Sequence, residues 1–258
     1  MTSTLIGKQA VVIGAGMGGL TAAGALADRF DQVVVLERDT LPSEPAYRAG
    51  TPQARHVHAL LLSGQRALSE LFPGFEQDLA RAGAVPLRAG LDVRVERPGY
   101  DPFPQRDLGW SRLRGVTADD RARRATAAWK AAPTTTLRQR CRVKEVLASP
   151  DGAAVTGVRC ENDSGASETI AADLVVDASG TRRPTLALLQ SIGRPLPEET
   201  TIGIDLGYAT CIFAIPDDAS TDWKGVMTFG QAPQNSRGGL MLPLEGNRWM
   251  VTVGWAPR

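Results

Sequence analysis

Cysteine, histidine, lysine and aromatic residues are all scarce in this 258-residue chain, and each scarcity excludes a class of protein. Three cysteines (Cys141, Cys160, Cys211), odd in number and without CxxC spacing, support neither a disulfide framework nor a zinc site, and fit a reducing, cytoplasmic compartment. The two histidines, His56 and His58, would need a third partner to hold a metal, and no such partner is visible, so no metal site is expected. No run approaches the roughly 18 apolar residues of a membrane span, and residues 9–13 are too short for the core of a secretory signal. A net charge of +1 argues against a dedicated nucleic-acid binder. Neither GxSxG nor HExxH occurs, so hydrolase chemistry has no support. The excess of arginine (25) over lysine (4) reads as genomic base composition. With 43% apolar and 22% charged residues, the chain is long enough for a globular core of one large or two modest domains.

The clearest positive signal is N-terminal. Gln9-Ala10-Val11-Val12-Ile13 is a short, β-branched run that reads as a buried strand. It enters Gly14-Ala15-Gly16-Met17-Gly18-Gly19, which satisfies G-x-G-x-x-G at Gly14, Gly16 and Gly19. Leu20, Ala23, Gly24 and Ala27 then recur at helical spacing, and residues 32–37 read as a second strand ending in Glu37. Each part has a physical role: Gly14 permits the tight turn, Gly16 lets backbone approach a pyrophosphate, and Gly19 lets the helix pack close to the sheet. The helix N-terminus offers free N–H groups, and Glu37 can accept hydrogen bonds from ribose hydroxyls. The pattern indicates a dinucleotide site without deciding between FAD and NAD(P). Arg38 would suit a 2′-phosphate, but Glu37 would repel one, which disfavours NADP here.

Beyond a proline-rich loop at residues 40–55 comes Arg48-x-Gly50-x-Pro52-Gln53-Ala54-Arg55-His56-x-His58-x-Leu60-Leu61, followed by a helix ending near Leu71-Phe72-Pro73-Gly74. Locally, His56 and His58 fit either a structural role or a place facing a cofactor ring. Residues 143–147, 154–159 and 168–170 read as a strand meander with turns at Pro150-Asp151-Gly152 and residues 162–165. A buried strand then ends in Asp177-Ala178-Ser179-Gly180.

Together with the fingerprint, with Gly207-Tyr208-Ala209-Thr210 and with Pro243-Leu244-Glu245-Gly246-x-Arg248-Trp249, these motifs resemble the FAD-dependent, aromatic-hydroxylase-like monooxygenases. Within them they resemble most the flavin-dependent epoxidases of actinobacterial polyether biosynthesis. The resemblance covers most of residues 8–110 and 141–255. It implies an α/β fold: a Rossmann-like βαβ FAD-binding domain at residues 1–75 and 105–185, and a mostly β substrate-side layer at residues 76–104 and 186–258, incomplete and truncated. It implies FAD as cofactor and NAD(P)H as electron donor. The implied reaction passes oxygen from a flavin hydroperoxide to a hydrophobic polyketide-like or aromatic substrate, with no protein nucleophile. The FAD contacts it implies are Gly14, Gly16, Gly19, Glu37 and Arg38, with Arg48, Gln53 and His56 nearer the flavin and Asp177 and Gly180 at the returning strand. Asp177 also reads as a strand-end cap, and no catalytic acid or base is identified. Leu206, Tyr208, Phe213, Met227, Phe229, Met241 and Trp249 read as core, or as the lining of a substrate cavity.

Two departures from the family pattern stand out. Residues 106–144 hold 11 Arg or Lys against three Asp where the family carries a leucine-rich helix, and read as an altered surface segment, with at most a thin helical stripe at Ala122, Ala125 and Trp129. The family's C-terminal part, with its Gly-Asp turn at the flavin pyrophosphate, is not found before Arg258. Two other functions therefore stand beside the monooxygenase: a non-catalytic remnant or accessory subunit, completed by a homodimer partner or a second chain, and, more weakly, an NAD-binding reductase.

Overall fold

The computed structural model describes residues 4–43, 46–48, 50–108, 113–115, 133–231 and 233–256. Most of the arginine-rich segment, with the Ala122–Ala125–Trp129 stripe, lies outside the described residues. In chain order the elements are β1 (Gly7–Ile13), α1 (Met17–Leu26), β2 (Phe30–Leu36), a 3-10 turn (Pro52–Arg55), β3 (Ala59–Leu60), α2 (Leu62–Leu71), α3 (Phe75–Arg81), β4 (Val85–Leu87), β5 (Val93–Glu96), β6 (Leu113–Gly115) and β7 (Thr135–Arg138). There follow β8 (Cys141–Ala148), β9 (Val155–Asn162), β10 (Ser167–Ala171), β11 (Leu174–Asp177), α4 (Pro184–Ser191), β12 (Gly207–Ala214), β13 (Gly225–Thr228), β14 (Arg237–Leu244) and β15 (Arg248–Trp255). These form two compact units. One comprises residues 1–51, 71–73 and 122–200, and the other residues 52–70, 74–121 and 201–258.

The first unit is built on a parallel four-stranded sheet in the order β11-β1-β2-β7. Its central strands are buried on both faces, which is why β1 and β2 read as continuous apolar runs rather than alternating ones. The two-residue period still sorts their side chains. Ala10, Val12, Val33 and Val35 face α1 through Leu20 and Ala23. Val11, Ile13, Val34 and Leu36 face the opposite layer, where Val146, Val158, Cys160, Ile170 and Leu188 come from the antiparallel meander β8–β10 and from α4. Small residues bring α1 close: a Cβ on Gly24 would lie 2.7 Å from the Phe72 ring. β11 returns beside β1 with Asp177 opposite Ile13. It is an edge strand, so its residues are half-buried rather than buried as the sequence pattern implied.

The second unit carries a five-stranded sheet in the order β12-β15-β14-β13-β5, with β5 parallel to β13 and the remaining pairs antiparallel. Gly246 (φ 73°) and Asn247 (φ 54°) close the β14–β15 hairpin in the left-handed region that glycine and asparagine tolerate best. A small core of Leu87, Val93 and Leu242 packs with Met227 and Leu240 on one face. The core assignment fails for Leu206, Tyr208, Phe213 and Phe229, which are exposed. β12 is the edge strand of its sheet, and among the described residues no further strand pairs with it.

Asp92 ties this unit together. Its buried carboxylate accepts hydrogen bonds from the Arg88 backbone N–H (2.8 Å) and guanidinium (2.9 Å) and from Lys224 Nζ (3.4 Å), while its carbonyl accepts the N–H groups of Lys224 and Gly225 at the start of β13. Burial alone would raise the Asp92 pKa. The Arg88 hydrogen bonds and the Lys224 charge outweigh it and hold the group at about 2, against an ordinary 3.8. A folded pKa below the unfolded one contributes stability that is complete above the unfolded value and is lost as pH falls through the folded one. Asp92→Asn is therefore expected to lower stability by about 2 kcal/mol at pH 7. In thermal melts across a pH series, this difference from wild type should roughly halve by about pH 3.

Candidate dinucleotide site at the strand ends

The turn after β1 is shaped by its glycines in three different ways. Gly14 sits at φ 97°, and a Cβ there would lie 2.6 Å from the Ala178 carbonyl oxygen. Its N–H donates to the Leu36 carbonyl (2.8 Å), and the Ala178 N–H donates to the Ile13 carbonyl (3.0 Å), so the turn is wedged between the ends of β2 and β11. A Cβ on Gly19 would lie 1.8 Å from the Gly14 carbonyl oxygen, so only glycine lets α1 start this close to the strand. Gly16 caps α1 without a side-chain hydrogen bond at φ −77° and ψ −176°, an ordinary extended conformation, and a Cβ there would meet nothing within 4 Å. The space over Gly16 is open, and the first N–H groups of α1 have no intrahelical acceptors.

Glu37 and Arg48 grip the peptide between those glycines from both sides. Glu37 is buried, and its Oε2 accepts the Ala15 N–H (2.8 Å) while Oε1 accepts the Asp39 N–H (3.0 Å). Arg48 Nη2 donates to the Ala15 carbonyl (3.0 Å), and its Nη1 lies 4.0 Å from Glu37 Oε2. Hydrogen bonds to charged groups contribute about 1.5–3 kcal/mol each, so Ala15 is held in one orientation before any ligand arrives. Two of the roughly four lone-pair sites of the Glu37 carboxylate are taken, which leaves acceptor capacity for hydroxyl donors. Arg38 pairs with Asp39 at 3.7 Å and lines a surface cavity of about 480 Å3 with Tyr47, Arg48, Arg140 and Asp163.

Asp177 and Gly180 lie at the end of β11. The Asp177 carboxylate accepts the Ser179 N–H (3.0 Å) and the Thr185 N–H and hydroxyl (3.2 and 2.7 Å), which locks the Asp-Ala-Ser-Gly turn to the first turn of α4. Burial raises its pKa, but these hydrogen bonds bring it below the usual value. Its role in the structure is therefore to cap. Gly180 takes the left-handed conformation of the turn, at φ 75°.

Of the residues singled out in the sequence, Gly14, Gly16, Gly19, Glu37 and Arg48 converge at the carboxyl ends of β1 and β2, with Asp177 at the end of the neighbouring β11 and Gly180 in the turn that follows it. That is the edge at which open α/β sheets bind ligands. Gln53 and His56 belong to the second unit. Gln53 is exposed, and its carbonyl accepts the His56 N–H (3.1 Å). Sequence reasoning gave no side-chain role to Thr210, whose hydroxyl lies 2.8 Å from His56 Nδ1, or to Thr252, whose hydroxyl lies 2.7 Å from that of Thr210. Their alternation along β12 and β15 was the available signal. Burial and the neighbouring Cys160 push the Cys141 thiol up to about 12, which excludes it as a nucleophile near neutral pH. No group of three or more metal-ligating side chains occurs among the described residues, and no described helix is long and apolar enough to cross a membrane.

A family model described as an FAD binding domain matches residues 9–207. Protein Rv3254 of Mycobacterium tuberculosis is 34% identical over 261 residues, which cover 95% of this chain and 52% of that protein. Among solved structures, PqsL of Pseudomonas aeruginosa in complex with 2-aminobenzoylacetate aligns at a TM-score of 0.67 and 14% identity, covering 97% of this chain and 61% of its own. The p-nitrophenol 4-monooxygenase PnpA of Pseudomonas putida aligns at 0.64 and 18%, covering 98% and 57%. The myxobacterial chondrochloren halogenase CndH aligns at 0.65 and 18%, covering 97% and 53%. The chain thus spans about half the length of the curated relative and between half and two thirds of these structures. At such identities the structural likeness shows a shared fold, that of FAD-dependent monooxygenases and halogenases.

Proposed function

This chain belongs to the FAD binding domain family, and on that premise we propose that it is the flavin- and substrate-binding part of a monooxygenase. The proposed reaction transfers one oxygen atom of O2 to an electron-rich, hydrophobic substrate, with NAD(P)H as electron donor. The observation that carries the reading is the Ala15 clamp. Glu37 and Arg48 fix the turn between Gly14 and Gly16, beneath open space at the start of α1.

The residues present fit FAD. The exposed N–H groups at the start of α1, with Gly16 bare before them, would take the pyrophosphate. Glu37 would accept the ribose hydroxyls with its remaining lone pairs. Arg48 acts through Ala15 by holding the turn, and Arg38 stands at the rim. Asp177 and Gly180 shape the neighbouring turn, and Gln53 and His56 are assigned to the substrate-side unit. When bound, the flavin would supply the redox chemistry, taking hydride from NAD(P)H and activating O2. The family match favours FAD over NAD at this fingerprint and so weighs against the reductase reading.

The test is to load the chain with FAD and measure NADPH-dependent O2 uptake with and without candidate polyenes and phenols. Label from 18O2 in the product supports oxygen transfer, whereas NADPH oxidation that yields only H2O2 with every substrate counts against it. The alternative, an accessory chain completed by a partner or by a second copy, is favoured by one observation. Ile202, Ile204, Tyr208 and Phe213 are exposed in and just before β12. Sedimentation of the purified chain distinguishes a monomer from a dimer.

A further inference from the structure

The second unit contains a run of side-chain hydrogen bonds that ends at His56. The Val57 N–H donates to Thr252 Oγ1 at 3.3 Å, the Thr252 and Thr210 hydroxyls are 2.7 Å apart, and Thr210 Oγ1 lies 2.8 Å from His56 Nδ1. Thr210 and Thr252 are directly opposed in the β12–β15 pair. Tyr208 lies two residues earlier on β12 and therefore on the same face, with its ring centroid 5.9 Å from that of His56.

Proton counting gives the relay a direction. Thr252 is buried and already accepts from Val57. The acceptor open to its own hydroxyl proton among the described residues is Thr210 Oγ1. If Thr210 donated to Thr252 instead, the buried Thr252 proton would have no acceptor, an arrangement folded proteins avoid. Thr252 therefore donates to Thr210. Thr210 Oγ1 and His56 Nδ1 can then share their hydrogen bond in two ways: the Thr210 hydroxyl donates to a bare Nδ1, or an Nδ1–H donates to Oγ1 and the half-buried Thr210 turns its proton to solvent. The first arrangement, which spends the Thr210 proton inside the protein and puts the neutral His56 proton on Nε2, is the one proposed. His58 takes the opposite form: its Nδ1 lies 2.7 Å from the His56 carbonyl, which can only accept, so Nδ1 holds the proton and Nε2 is bare.

We propose that His56 is a binding residue of the second unit, held by the Thr252–Thr210 relay as an Nε2–H donor for a carbonyl or phenolate oxygen on a ring-bearing ligand. Its Nε2 has no partner among the described residues, and the side chain is half-buried, so a ligand can reach it. Tyr208, 53% exposed beside it, offers a face on which a ring can stack. Thr210 and Thr252 act as positioning residues that fix which nitrogen donates. The proposal takes from the functional reading only that the second unit is the substrate side.

With two histidines in the chain, the tautomers can be read directly from long-range 1H–15N spectra of the full-length 15N-labelled protein. The spectra are recorded at pH ~8.5. The expected spectrum shows one ring protonated on Nε2 (His56) and one on Nδ1 (His58). Thr210→Val should release His56 to a mixture of tautomers, and Thr210→Ser should restore the single form. Adding 4-cyanophenolate as the probe should move the His56 Nε2–H proton downfield in wild type and in Thr210→Ser, and much less in Thr210→Val. Two rings of the same tautomer, or a probe titration that leaves His56 unmoved, would overturn the proposal. Loss of FAD binding with these signatures intact would overturn the flavin reading alone.

Discussion

Gly16→Val should leave the fold standing and remove FAD binding. The backbone at Gly16 is in a conformation that any residue adopts, and a Cβ there would meet nothing within 4 Å. The expected stability cost is that of replacing a glycine N-cap with valine, up to about 1 kcal/mol, or no more than about 4 °C in Tm. The open space over Gly16 is nevertheless where a pyrophosphate must approach the N–H groups of α1, and an isopropyl group there excludes it. Two lost hydrogen bonds to a charged phosphate, at about 1.5–3 kcal/mol each, correspond to an affinity loss of about 10²- to 10⁴-fold. Flavin fluorescence titration alongside a thermal melt reads both quantities. A variant that binds FAD like the wild type would show that the pyrophosphate lies elsewhere.

Gly19→Ala should do the reverse, although it adds a smaller side chain to the same motif. Its Cβ would lie 1.8 Å from the Gly14 carbonyl oxygen, a backbone atom that cannot rotate away. α1 would have to move off the sheet, opening the contacts of Leu20 and Ala23 with Val12 and Val35. A forced rearrangement of this kind costs at least about 3 kcal/mol. In a chain of this size that lowers Tm by about 6–12 °C, and soluble expression falls with it. A wild-type melting curve for Gly19→Ala would mean that the helix and strand are not packed as described.

These two glycines mark what could be read from the sequence. β1, the turn, α1, β2 and Glu37 were legible because a fixed motif, a run buried on both faces and a helical period agree over fewer than 40 consecutive residues. The meander at β8–β10 was legible from its turns. Asp177 was readable as either a flavin contact or a cap; its bonds to Ser179 and Thr185 are those of a cap, and the flavin contact stays a proposal. Arg48 was named, but its grip on Ala15 spans 33 residues through a proline-rich loop that carries no period. The short elements α3 and β4–β7 have too few turns or alternations to register. The exposure of Tyr208 and Phe213 follows from the edge position of β12, which is a property of sheet order rather than of local sequence. The relay to His56 was equally hidden, since it joins residues 154 and 42 apart through strand register alone.

The central claim, that the clamped turn at Gly14–Gly16 is a built FAD site, is tested most directly by titrating the purified chain with FAD and following the visible flavin band. The expected result is saturable binding of one FAD per chain in the wild type, weakened by about 10²-fold or more in Gly16→Val with Tm lowered by no more than about 4 °C. No binding by a wild-type chain that melts cooperatively, and is therefore folded, would contradict it.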